Sequence, residues 1–103
     1  MNVVCLRVFV TESSRHDGRL TYEWLLDKAR ELGVGGGSVF RSLAGFGRHG
    51  RQDAGFFELA GELPVVAEFL VEPALADSLL KAIADAGLQL VYARLPAEIG
   101  ITA

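Results

Sequence analysis

The chain has 103 residues, a formal net charge of −3, a single cysteine, and apolar side chains at half its positions. That length suits one domain, residues 1–103, with one core and little surplus surface burial, so self-association is expected. The apolar content argues against disorder, the acidic balance against a nonspecific coat on nucleic acid, and the lone Cys5 against an internal disulfide, which suits a reducing compartment. No apolar run is long enough to span a membrane, so no direct membrane insertion is expected. The first residues, 1–4, carry no basic stretch or cleavage site, so the expected location is the cytoplasm.

Residues 3–10 are a β-rich apolar run and predict a first strand. Residues 11–19 are polar with one glycine and predict a loop. From 20 to 32, apolar positions at Tyr22, Leu25, Leu26, Ala29 and Leu32 follow helical spacing, and Gly33 fits the C-terminal cap. Residues 38–46 predict a second strand. Residues 47–61 are polar with glycine at both ends, and a loop of that length in a compact domain is a functional feature. A third strand is predicted at 63–71. Pro73 suits the first position of a second helix, whose stripe is Leu75, Leu79, Ile83 and Ala86, with Gly87 as its cap. Residues 89–95 predict a fourth strand that Pro96 helps to end.

The order β-α-β-β-α-β predicts a ferredoxin-like α+β fold, an antiparallel four-stranded sheet with two helices on one face. Strand alternation places Arg7, Arg41, Glu68 and Arg94 on the other face, among Cys5, Phe9, Val39, Leu43, Val66 and Leu70. A face so apolar is expected to be covered by further copies of the chain, with Glu68 compensating a nearby arginine. The tail 99–103 looks too short to cover it.

The stretch 33–51 joins a glycine turn, a strand and a second glycine cluster bearing arginines. Glycines permit close backbone approach to a ligand, and arginines supply forks for phosphate or carboxylate. Gly45, Gly47 and Arg48 therefore point to anion recognition at a strand end. Ser38 has two readings, a hydrogen bond to a ligand's base edge or satisfaction of the turn after Gly37. His49 stands between Arg48 and Gly50, with Arg51 next, and adjacent cations disfavour its protonation. His16 is the only other histidine, and without a Cys or His cluster at ligand spacing no metal site is expected.

The cluster Arg15, His16, Asp17, Gly18 and Arg19 reads as a charged surface turn, with an anion pocket shared between subunits as the alternative. Phe56 and Phe57 read either as a docking surface or as an inward staple. Trp24 falls out of phase with its helix's apolar stripe, which leaves an interface or a partly buried indole. Cys5 reads as a small core residue rather than a nucleophile. No nucleophile and base are visibly paired, and no Walker lysine motif is present, so no catalytic residues are assigned.

The run Gly37-Ser38-Val39, followed by Gly45-Phe46-Gly47-Arg48 and a long loop, resembles the nitrogen-regulatory PII superfamily. Closer still is the resemblance to its uncharacterised PII-like family, a domain of unknown function. That likeness is carried by Glu12 through Gly18, Tyr22-Glu23, Ala29 through Gly33, Phe40 through Gly47 and Leu63 through Val66. It implies a homotrimer binding an adenine nucleotide (ATP, ADP or AMP) or similar anion between subunits, with no covalently bound cofactor. It implies a ligand cleft containing Gly37, Ser38, Gly45, Phe46, Gly47, Arg48 and His49. The loop 47–61, with Arg51, Phe56 and Phe57, would dock on a regulated partner, for which a membrane transporter is the analogue. Two reduced readings are a ligand-independent interaction module and, with less support, an enzyme acting on a small anionic substrate. PII proteins carry a glycine-lysine phosphate loop before the last strand; here residues 85–89 have no lysine. His49 stands where PII has a magnesium-holding glutamine, so magnesium in the site is not implied. The loop has no tyrosine, which excludes tyrosyl nucleotidylation there.

Overall fold

A computed structural model describes residues 2–45 and 63–103. In chain order the elements are β1 (Asn2–Thr11), β2 (Arg15–His16), β3 (Arg19–Leu20), α1 (Thr21–Glu31), β4 (Ser38–Arg41), β5 (Pro64–Val71), α2 (Pro73–Asp85) and β6 (Val91–Glu98). The main sheet has strand order β4-β5-β1-β6 with every neighbouring pair antiparallel. This is the ferredoxin-like arrangement expected from the element order.

Alternation along β1 and β5 builds the core. Leu6, Val8 and Val10 point to the helices, as do Val65, Ala67, Phe69 and Val71, and all are buried. Leu25 and Ala29 of α1 and Ala76, Leu79 and Ile83 of α2 close on them. Both helices end alike. Val34 N–H donates to Ala29 O and Gly33 N–H to Arg30 O; Leu88 N–H donates to Ile83 O and Gly87 N–H to Ala84 O. These are Schellman caps, and Gly33 at φ +94° and Gly87 at φ +78° supply the left-handed residue each needs. Pro73 occupies the start of α2, where its missing N–H costs nothing.

Four expectations change. The predicted loop 11–19 contains the β2–β3 hairpin, whose turn residues Asp17 and Gly18 both have positive φ, the requirement of a tight type I′ turn. Strand β4 stops at Arg41 rather than running to 46. Its partner β5 begins at Pro64, Ser42 N–H makes the last bond to Pro64 O, and Leu63 O is taken by Glu12 N–H. Pro96 lies inside β6, opposite Val4, instead of ending the strand. This edge strand tolerates a residue that cannot donate to a ladder.

The fourth change concerns the faces. Arg7, Glu68, Cys5, Phe9, Val66 and Leu70 do share the helix-free face, as register requires. Val39 and Arg41, opposite Ala67 and Val65, and Arg94, opposite Leu6, lie on the helix side instead. Val39 packs on the core, and Arg94 donates to Asp77 Oδ1 (2.6 Å) and Pro73 O (3.1 Å) on α2. Leu43 follows the end of β4 and is exposed. A one-residue error of phase moves a whole strand's side chains to the opposite face, and here it exchanges Val39 for Phe40.

Candidate functional site

The helix-free face carries Cys5, Phe9, Phe40, Val66, Leu70, Val91 and Leu95. Phe40 is 53% exposed, Leu95 47% and Leu70 45%. Contiguous apolar area of this kind marks an interaction surface. Its charged pair is internal: Arg7 Nε and Nη2 both donate to Glu68 Oε2, at 3.2 and 3.0 Å. Glu68 Oε1 is left without a hydrogen bond among the described residues. The expectation that Glu68 compensates an arginine is met by Arg7.

A hollow of about 380 Å³ opens on the same face where β4 begins. The backbone of residues 35–37 and Ser38 line it at the start of β4, Glu68 and Leu70 from the neighbouring β5, and Ile99 from the segment after β6. Ser38 and Glu68 are register partners on neighbouring strands, so the serine hydroxyl and the carboxylate stand at the same level. A second hollow, of about 420 Å³, lies behind the glycine run, between it and Leu26, Asp27 and Arg30 of α1. The chain between α1 and β4 is thus a thin glycine wall. Gly37 is fixed as glycine by packing: a Cβ there would sit 2.5 Å from Phe69 Cε1. Elsewhere in the wall, Gly35 and Gly36 have open space.

Of the sequence-predicted ligand residues, Gly37 and Ser38 line the hollow and Gly45 lies beyond the far end of β4. Strand β4 spans roughly 10 Å at about 3.4 Å per residue, so an elongated ligand along it would reach from Ser38 toward Gly45. Phe46, Gly47, Arg48, His49, Arg51, Phe56 and Phe57 lie outside the described residues. The chain enters and leaves that segment at one place. Arg41 pairs with Glu12, Glu12 N–H donates to Leu63 O (2.6 Å), and Ser42 N–H donates to Pro64 O (2.9 Å). Glu68, Leu70, Gly35 and Ile99 also line the hollow, and the sequence did not point to them as ligand residues. Register across β4 and β5 is the signal that brings Glu68 beside Ser38; none is visible for Ile99.

The polar cluster after β1 is a structured turn whose charges are locally used. Arg15 donates to Gly18 O, Arg19 pairs with Asp27 (2.8 Å), and His16 Nε2 lies 3.3 Å from Asp17 Oδ2. The His16 ring meets Trp24 edge-on with centroids 5.1 Å apart, and Lys28 Nζ lies 5.7 Å from the indole centroid. Half-buried Trp24 is therefore engaged within the chain. The hairpin is pinned where the Ser14 and Thr21 hydroxyls meet at 2.7 Å, with Thr21 fully buried. On the exposed side of α2, Lys81 is held above its ordinary pKa by its hydrogen bond to Asp85 and then by that carboxylate's charge. Among the described residues, no three His, Cys, Asp or Glu side chains group as a metal site. No helix among them is long and apolar enough to cross a membrane.

The family model DUF190, described as an uncharacterized ACR, matches residues 3–91. A UPF0166 protein of Aquifex aeolicus is 38% identical over 68 residues, 65% of each chain. A UPF0166 protein of Methanocaldococcus jannaschii is 27% identical over 63 residues, covering 61% of this chain and 58% of that one. The matches thus span less than two thirds of these relatives' length. Among solved structures, CPII of Thiomonas intermedia K12, bound to ADP, AMP and acetate, superposes with TM-score 0.69 at 16% identity, covering 97% of this chain and 90% of the other. The same protein, described as a nitrogen regulatory PII-like protein and bound to ADP, AMP and bicarbonate, gives TM-score 0.64 at 20% identity, covering 100% and 98%. At these identities the likeness concerns the fold.

Proposed function

This chain belongs to the DUF190 family, and from that membership and its PII-like fold we propose that it is a regulatory protein that binds an adenine nucleotide in the hollow at Ser38, Glu68 and Leu70. Residues 1–103 act as one PII-like domain without catalytic turnover, working in the cytoplasm. The observation that carries the reading is the hollow itself, placed where an unpartnered apolar sheet face meets a glycine wall. Three copies of the chain cover that face, and the hollow becomes a cleft between subunits. Gly45, Phe46, Gly47, Arg48 and His49 complete it, with the Arg48 guanidinium on the phosphates. The CPII structures hold ADP and AMP, which makes these the first nucleotides to test.

Ligand binding acts on a partner only if it favours one arrangement of the chain over another. The segment 47–61 presents Arg51, Phe56 and Phe57 to that partner, by analogy a membrane transporter. Calorimetric titration with ATP, ADP, AMP and cyclic AMP, with and without magnesium, tests the reading. Selective binding that weakens in Arg48→Ala supports it; no heat from any of the four refutes it. The second reading is a docking module that needs no ligand. The turn between α2 and β6, residues 86–90, favours it by carrying no lysine for phosphate, and the negative titration would put it first.

A further inference from the structure

Val3 breaks the pattern of the open face. It shares that face with Cys5, Arg7 and Phe9, yet it is only 5% exposed. The end of β6 lies close enough to supply its cover. Glu98 pairs with Asn2, so the chain leaves β6 beside the start of β1. The next residue, half-buried Ile99, lines the hollow together with Glu68 and Leu70 on β5. In the sheet β1 lies between β6 and β5. A chain passing from one to the other on this face has to cross β1 at Val3. Two observations, the burial of Val3 and the place of Ile99, therefore describe one crossing.

We propose that Ile99 is a ligand-contacting residue of the chain's own hollow, packing on the flat face of a purine whose other side rests on Leu70. This rests on the nucleotide reading above and assigns one part of the ligand within it. The chemistry favours a planar, weakly polar group at this end. Leu70 and Ile99 offer apolar surface, while Ser38 and Glu68 Oε1, which has no hydrogen bond among the described residues, offer polar contacts at its edge. The phosphates then extend along β4 toward Gly45. Ile101, 93% exposed in the same tail, is the control position.

The test is calorimetric titration of AMP into wild type, Ile99→Ala and Ile101→Ala, with pyrophosphate titrated as a ligand that has no base. Ile99→Ala removes the Cγ and Cδ carbons of a half-buried side chain, so AMP affinity is expected to fall about tenfold. Pyrophosphate affinity stays unchanged in that variant, and Ile101→Ala binds both as wild type does. Unchanged AMP binding in Ile99→Ala, or equal losses for AMP and pyrophosphate, overturns the assignment while leaving the nucleotide site standing. Failure of the wild type to bind AMP overturns the assignment, and failure to bind any of ATP, ADP, AMP and cyclic AMP overturns the nucleotide reading with it.

Discussion

Replacing Gly37 by alanine tests the glycine wall. The added Cβ would lie 2.5 Å from Phe69 Cε1, 2.6 Å from Cδ1 and 3.4 Å from Leu26 Cδ2. Phe69 is 1% exposed and packed among Leu6, Val8 and the helices, and it meets free space only at the hollow behind the glycine run, so its ring can yield only by shifting within the core. Overpacking of this kind costs about 1–3 kcal/mol. Gly37 has no positive φ, so backbone strain adds nothing and the whole loss reports on the contact with Phe69. Gly36→Ala is the internal control, since nothing lies within 4 Å of its added Cβ. Removing unfolded-state freedom there offsets other costs, and the change should stay within about 0.5 kcal/mol of wild type or stabilise slightly. Urea unfolding at one fixed protein concentration measures both, because self-association makes apparent stability depend on concentration. Gly37→Ala with a wild-type midpoint and slope would refute the claim that Phe69 holds the wall.

Further outcomes follow from the same packing. Leu79→Ala empties the space between α2 and the sheet and should cost about 2–5 kcal/mol in urea unfolding. Arg94→Ala should cost about 1 kcal/mol, because its bonds to Asp77 and Pro73 O are half-exposed, and hydrogen exchange should report earlier opening at the start of α2. Gly18→Ala places a side chain at φ +77° in the β2–β3 turn and should destabilise by about 1 kcal/mol in thermal melting, with no effect on nucleotide titration. Phe40→Glu and Leu95→Glu introduce charge on the open face and should leave a folded monomer by size-exclusion light scattering; an unchanged mass would remove that face from the assembly.

Local chemistry made much of this fold readable in advance. Gly33 and Gly87 marked both helix ends because Schellman caps require what glycine supplies. Pro73 marked a start, and the alternation in β1 and β5 named the core. Where reading failed, the deciding partner was distant in sequence. The end of β4 depends on where β5 begins, and Pro96 is tolerated because β6 lies on an edge, a fact of topology. Val39 and Phe40 are both good strand residues, so only pairing with Ala67 and Val66 assigns their faces. Of the residues that line the hollow, Gly37 and Ser38 were legible, where glycines and a hydroxyl meet a strand. Glu68 waited for the register, and Ile99 for a crossing that composition does not encode. Trp24 lies out of phase with the core stripe of α1 because it packs against the β2–β3 hairpin instead, with His16 against its edge.

In the proposed function, copies of the chain meet at the open face and the ligand cleft forms at that junction. Sedimentation equilibrium of the wild-type protein at low micromolar concentration tests it most directly. The prediction is a mass three times that of the 11.1 kDa chain, retained when ADP is added. A single species at the mass of one chain, with and without ADP, would contradict it.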